Sequence, residues 1–215
     1  MSYILYYSPG ACSMAPHILL EELRITYRAE LLSVANGDNV QPYLSINAKE
    51  RVPALMIPGE ARVLTEVPAI MTCLARHEFA RELLPADDPL FESRCLEWFA
   101  WLSGWLHQVG FGLLWRPGRF SPDTSQHQAQ QAIGRETIQA AFAEIERQIA
   151  DGKEWAMPGR YSAVDPFLLV FYRWGNRIGV PMRTDFPAWT SISDRVAKRP
   201  AVLRVLESEG VSIEM

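Results

Sequence analysis

Tyr3-Ile-Leu-Tyr-Tyr-Ser-Pro-Gly-Ala-Cys-Ser-Met-Ala-Pro-His17 is the stretch from which the fold is read. It opens with β-branched and aromatic residues, the composition of a strand. Ser8-Pro9-Gly10 then breaks the chain, because proline fixes one backbone angle and glycine permits a sharp turn. From Ser13 onward Ile18, Leu19, Glu22 and Leu23 follow helical spacing. Pro16 is tolerated there, since the first turn of a helix has amides without intrahelical partners. Cys12 therefore falls in a strand-to-helix turn, where free N–H groups and the positive end of the helix dipole favour a thiolate. A cysteine so placed can titrate well below its reference value of about 8.5. The competing reading is a small buried hydrophobe, the usual state of a free cysteine.

Outward from this stretch, Tyr27–Val34 reads as a second strand, which with the intervening helix makes a parallel, right-handed βαβ unit. Asn36-Gly37-Asp38-Asn39 has loop chemistry, and 40–46 is expected to form a short helix. Val52–Ile57 and Arg62–Thr65 flank Pro58-Gly59-Glu60, which predicts an antiparallel hairpin. Pro53 marks a strand start or an edge because it cannot donate a ladder hydrogen bond. Only about 0.5–1 kcal/mol opposes the cis form of an X–Pro bond. Glu66-Val67-Pro68 opens the next helix, with Ile70, Leu74 and Ala75 on one face and His77 and Arg81 near its C-terminal end.

Pro85-Ala-Asp-Asp-Pro89 is the best domain boundary. Beyond it strand signals nearly vanish. Phe91 to about Trp115 is helical and carries Trp98, Trp101, Trp105 and Trp115. Asp123 or Ser125 is placed to cap a long helix bearing Ile138, Phe142, Ile145 and Ile149, which ends at Asp151-Gly152. Ser162-Ala-Val-Asp165 is a capping box with Asp in place of Glu, and the apolar run Pro166–Tyr172 predicts a central buried helix. Two shorter helices around Pro200 finish the chain, with Gly210 as a C-cap.

Lys and Arg total 21 against 25 Asp and Glu, a net charge of −4, which gives no support to a nucleic-acid or anionic-membrane partner. No run approaches the roughly 18 apolar residues of a membrane span, and residues 1–20 do not read as a signal peptide. Three widely spaced cysteines, 12, 73 and 95, argue against a disulfide framework and for a reducing cytoplasm. Cys73 and Cys95 sit in apolar helical patterns and are expected in the core. No grouping of His, Cys and carboxylates has metal-ligand spacing. His17 reads as a helix-face residue and His127 as an exposed one.

A mixed βαβ–ββα module followed by an all-helical half is an uncommon order. With Tyr6-Tyr-Ser-Pro-Gly-Ala-Cys-Ser13, Ala15-Pro-His17, Ile46-Asn47, Val52-Pro53-Ala-Leu55, Leu64-Thr-Glu66, Ala69-Ile70, His107 and the Ser162–Asp165 cap, the chain resembles the cytosolic glutathione transferases, most closely the bacterial beta class. The resemblance covers the whole chain. It implies a thioredoxin-like glutathione-binding domain with a mixed four-stranded sheet over residues 1–82, a linker at 83–89 and a helical-bundle domain over 90–215. It also implies a homodimer, glutathione as co-substrate, an apolar electrophile lodged against the helical half, and a role in detoxification. Carried over, Cys12 faces the glutathione sulfur, Val52 before a cis Pro53 meets the cysteinyl backbone, Glu66 and Val67 take the γ-glutamyl end, and His107 approaches the sulfur.

The chain also departs from the pattern. The family has Ser or Gly after the Glu, whereas Val67 brings no hydroxyl and Pro68 removes an N–H. The loop lysine is missing, since Val34–Tyr43 holds no Lys or Arg; the helical-domain asparagine is Ala100 and the lysine after the histidine is Gln108. Arg51 and Arg116 are the available replacements. Two readings follow. In one the protein is an enzyme that transfers the glutathione thiol to an electrophile or reduces a mixed disulfide. In the other it is a relative that has lost activity and serves as a binding protein. Trp105, Phe111 and Trp115 around His107 are either packed core or the lining of the co-substrate pocket.

Overall fold

Strand β1 (Tyr3–Tyr7) lies inside the sheet rather than at its edge. It runs parallel to β2 (Tyr27–Leu31), from Tyr3 opposite Tyr27 to Tyr7 opposite Leu31. On its other side it pairs antiparallel with β3 (Ala54–Met56), and β3 pairs antiparallel with β4 (Leu64–Thr65), giving the order β2-β1-β3-β4. This computed structural model describes residues 2–32, 40–77, 83–85, 87–150 and 152–214. The loop 36–39, Arg81 and Asp151 lie outside that set.

Leu5 and Leu55 face each other across β1 and β3 and are fully buried. Helix α1 (Met14–Glu22) covers them with Ile18 and Leu19, and α3 (Val67–Ala75) with Ile70, Met71 and Leu74. A short α2 (Val40–Leu44) precedes β3, within the span expected for it. Both hairpin strands are shorter than expected, and β2 stops at Leu31. Cys95 is buried as anticipated, but Cys73 is exposed. Its neighbours Met71 and Leu74 take the buried side of α3, and Cys73 is turned away from it.

The second half is helical throughout. Helix α4 (Pro89–Trp101) is capped by Asp88, whose carboxylate accepts from the Phe91 N–H at 3.0 Å. It continues into a π-helical segment, Leu102–Phe111, and then α5 (Gly112–Trp115). The expected single helix is thus broken in register. Gly104, Gly110 and Gly112 weaken α-helical preference here, and π-turns recur at functional sites. Helix α6 (His127–Ile149) crosses this segment closely at Gly134, where a β-carbon would lie 2.8 Å from both Gly110 O and Leu114 N.

Helix α7 (Val164–Arg177) is buried on every side from Val164 to Gly175. Its start is the expected capping box: Ser162 Oγ accepts from Val164 N at 3.2 Å, and Asp165 accepts from Ser162 N and Ala156 N, both at 2.8 Å. Burial pushes the Asp165 carboxyl up to about 6 against those donors. The two helices expected around Pro200 are α9 (Pro187–Ala197) and α10 (Pro200–Glu209), the latter ended by Gly210 in the left-handed region, and a short α8 (Met182–Asp185) precedes them. Among the described residues no helix is long and apolar enough to cross a membrane.

Gly134→Ala has nowhere to place its methyl without moving backbone. It is expected to cost about 1–3 kcal/mol of stability in urea unfolding, whereas a tolerated substitution would show that α6 does not seat on the π segment.

Candidate active site

The turn between β1 and α1 is held by the helical half. Gly10 has φ +63°, and a β-carbon there would come within 2.5 Å of Arg173 Nη1, so both conformation and space demand glycine. Its carbonyl accepts from Trp174 Nε1 at 2.8 Å and Arg173 Nη1 at 3.3 Å, both on α7. Its N–H donates to Glu209 Oε2 on α10 at 2.7 Å. The other Glu209 oxygen meets His17 Nδ1 at 2.7 Å, with both side chains buried. His17 Nε2 lies 2.9 Å from the Tyr27 hydroxyl, which donates to Glu21 at 2.6 Å. His17 is therefore the centre of a buried polar chain and not simply a helix-face residue.

This clamp sets the environment of Cys12. The thiol is buried, and it donates to the Val52 carbonyl at 3.5 Å. Burial pushes it up to about 12; the N–H groups of Cys12 and Ser13 and the charge of Arg116 pull the other way, and Glu66 adds to the rise. The expectation of a low-pKa thiolate is thereby corrected. Donors at the helix start are present as anticipated, but desolvation outweighs them. In the free protein Cys12 is a neutral S–H donor.

Val52 and Pro53 are joined by a cis peptide and stand just before β3, beyond the ladder that begins at Ala54. Glu66 caps α3 from φ +69°, an uncommon conformation for a residue with a side chain. Its exposed carboxylate is met by Lys49 Nζ at 2.7 Å, and the same ammonium reaches Thr65 Oγ1 at 2.8 Å. Val67 is buried at the helix start. Glu66 is also near enough for its charge to act on both Cys12 and His107.

His107 approaches from the π segment. Its ring packs edge-on to Trp174 at 5.0 Å and Phe171 at 6.2 Å. Burial first, then Arg116, Arg51 and Arg119, hold its pKa down at about 4, so the imidazole is neutral at physiological pH. Phe111 and Trp115 join the same aromatic wall, Phe111 at 4.9 Å and Trp115 at 5.0 Å from Trp174. Trp105 is exposed and shares none of these ring contacts among the described residues. Arg51, beside Val52, donates to Gln108, beside His107, at 3.3 Å and so ties the segment before β3 to the π segment.

Several of these residues escaped the sequence reading. Glu209, Arg173 and Trp174 lie far from Cys12 in sequence, and no local spacing announces them. Gly10 was legible as a turn glycine, but its partners were not. Lys49 carried no signal except its place before the Val52-Pro53 pair.

Among known proteins, the profile for the "Glutathione S-transferase, N-terminal domain" matches residues 10–77. A solved glutathione transferase from Methylococcus capsulatus strain Bath is 30% identical, with 97% of this chain and 98% of that one covered and a TM-score of 0.84. The chain belongs to the glutathione transferase family. A transferase homologue from Sulfitobacter, solved with bound glutathione, is 27% identical over 98% of this chain and 99% of its own, with a TM-score of 0.89. Glutathione S-transferase GstA of Escherichia coli O157:H7 is 29% identical over 214 residues, 96% of this chain and 98% of its own. Within the family this transferase resembles the bacterial beta class.

The buried, protonated state of Cys12 makes it slow to alkylate. At pH 7.5 iodoacetamide is expected to label the exposed Cys73 first, by peptide mass mapping, with Cys12 lagging at least about tenfold. Glu209→Ala should loosen the clamp and selectively speed Cys12 labelling. Equal rates in the parent protein would contradict the burial.

Proposed function

We propose that this glutathione transferase binds glutathione in the cleft between the two halves and transfers its thiol to an electrophile. The observation that carries the reading is the Cys12 S–H at 3.5 Å from the Val52 carbonyl, which sets a sulfhydryl donor beside an unladdered backbone edge. A peptide thiol lying along Val52-Pro53 brings its sulfur to that donor, in the manner of an added strand. Glu66, with Lys49 already on it, is suited to the γ-glutamyl ammonium. Exchanging one exposed ion pair for another costs little, since such pairs are worth about 0–1 kcal/mol. Val67 lines the γ-glutamyl end through its backbone.

In the reaction the glutathione thiolate attacks the electrophile, the new S–C bond forms, and the leaving group departs with its electron pair. This chain supplies electrostatics. Cys12 donates its S–H to the thiolate, the first-turn amides and the charge of Arg116 favour the anion, and neutral His107 offers a ring N–H without competing as a cation. A thiol held near 12 is a donor rather than a nucleophile at neutral pH, which favours conjugation over a mixed disulfide at Cys12. The proposal takes residues 1–82 as the glutathione-binding domain, 83–89 as the linker and 90–215 as the helical domain. It extends to a cytoplasmic homodimer acting in detoxification. Leu90, Leu96 and Trp105, exposed along α4 and the π segment, support an assembly.

Isothermal titration with glutathione tests the binding. Saturable heat in the micromolar to low-millimolar range is expected, and its absence with folded protein would remove the reaction. With 1-chloro-2,4-dinitrobenzene as electrophile, Cys12→Ala is expected to lower kcat/KM about tenfold or more, the loss of one hydrogen bond to a charged group. Unchanged kinetics would reduce Cys12 to scaffolding.

A further inference from the structure

The protein is acidic overall, yet the charges of Arg51, Arg116 and Arg119 all act on His107 and none of the three has a carboxylate partner among the described residues; Glu66, whose charge also reaches His107, is paired with Lys49. The ion pairs of the described residues involve other arginines, such as Arg183, Arg199 and Arg204. Arg51 has only the neutral Gln108. Arg116 follows Trp115 directly and caps the short turn Pro117–Arg119, and the Arg119 N–H donates to Arg116 O at 3.0 Å, so the two arginines flank one short turn. Arg116 is exposed, yet its charge acts on both Cys12 and His107. Arg119 is held below its ordinary range by partial burial and by the repulsion of Arg116 and Arg51.

Trp115 forms the adjoining surface. It packs tilted against Phe111 at 4.7 Å but leaves 39% of itself exposed, and Arg177 sits over its ring at 5.6 Å. A partly exposed indole with a cation over its ring and two arginines following it in sequence suits an aromatic ligand with an anionic substituent. Arg51, adjacent to Val52, is the cation nearest the seat proposed for glutathione's backbone and is the natural partner for one of its carboxylates. Arg116 and Arg119 remain.

We propose that Arg116 and Arg119, beside Trp115, form an anion subsite for the second substrate, so that the preferred electrophile is aromatic and carries a carboxylate or sulfonate. The inference rests on the glutathione reading for the reaction, but not for the binding of the anion. It also modifies the expectation of a purely apolar electrophile.

The test compares 3-nitrobenzoate with 3-nitrobenzamide, its neutral near-isostere, through quenching of tryptophan fluorescence in the full chain. The benzoate is expected to bind at least about tenfold tighter, as one charge-assisted contact allows. Added salt should narrow that gap. The preference should vanish in the Arg116→Gln/Arg119→Gln double variant and persist in Arg116→Lys. Circular dichroism checks that the variants are folded, and Arg116→Lys/Arg119→Lys, which keeps the charge, guards against a folding defect. Equal affinity for the two probes in the parent protein, or a preference that survives the double glutamine variant, overturns the proposal. So does a tenfold loss of glutathione affinity in that variant with the probe preference intact, which would assign the arginines to glutathione. A parent protein that prefers the benzoate but gives no heat with glutathione leaves the subsite standing and removes the glutathione reading.

Discussion

The Gly10 peptide is gripped from both sides, and the candidate site follows from that grip. Its carbonyl takes donors from Arg173 and Trp174 on α7, and its N–H goes to Glu209 on α10. All of these groups are buried or nearly so, where an unmade hydrogen bond costs about 1–3 kcal/mol, so the network is costly to open. The helical half thus does more than cover the sheet: it sets the conformation of the turn that carries Cys12. One buried carboxylate serves the turn and His17 together, and so couples the start of α1 to the end of the chain.

The grip decides the chemistry by deciding solvation. A helix start is a good place for an anion, and the Cys12 and Ser13 amides act in that sense. Burial acts more strongly, and the sulfur keeps its proton. That outcome serves the proposed reaction, because a neutral S–H can donate to an incoming thiolate where a second thiolate would repel it. His107 has been handled in the same way. Burial and three guanidiniums keep it neutral, so the positive field of the cleft comes from arginines at its rim and not from the imidazole. The design places permanent charge outside and polarisable or neutral donors inside.

Much of the fold could be read from residues 3–66. The β-branched and aromatic run at Tyr3–Tyr7, Pro53 and the Pro58-Gly59 reversal point to the sheet, and local chemistry is enough for that. The Ser162–Asp165 box was equally legible, because a capping box is a local device. What could not be read was anything that depends on burial by distant residues. The hold on the turn that carries Cys12 needs Trp174 and Glu209, the orientation of Cys73 needs the packing of α3, and the close seat of the π segment's end needs Gly134 of α6. The positions of Val52, Glu66, Val67 and His107 came from family resemblance; their spacing alone would not have brought them together. The meeting of Arg51, Arg116 and Arg119 was invisible for the same reason, since nothing local ties the end of the helical segment to the residue before Val52.

The most direct measurement is a pH titration of thiolate absorbance in the ultraviolet, on a Cys73→Ser protein, without and with saturating glutathione. The account predicts no thiolate below about pH 10 in the free protein. With glutathione it predicts one new thiolate per chain that ionises below the tripeptide's own range. A thiolate in the free protein near neutrality, or none after glutathione is added, would contradict it.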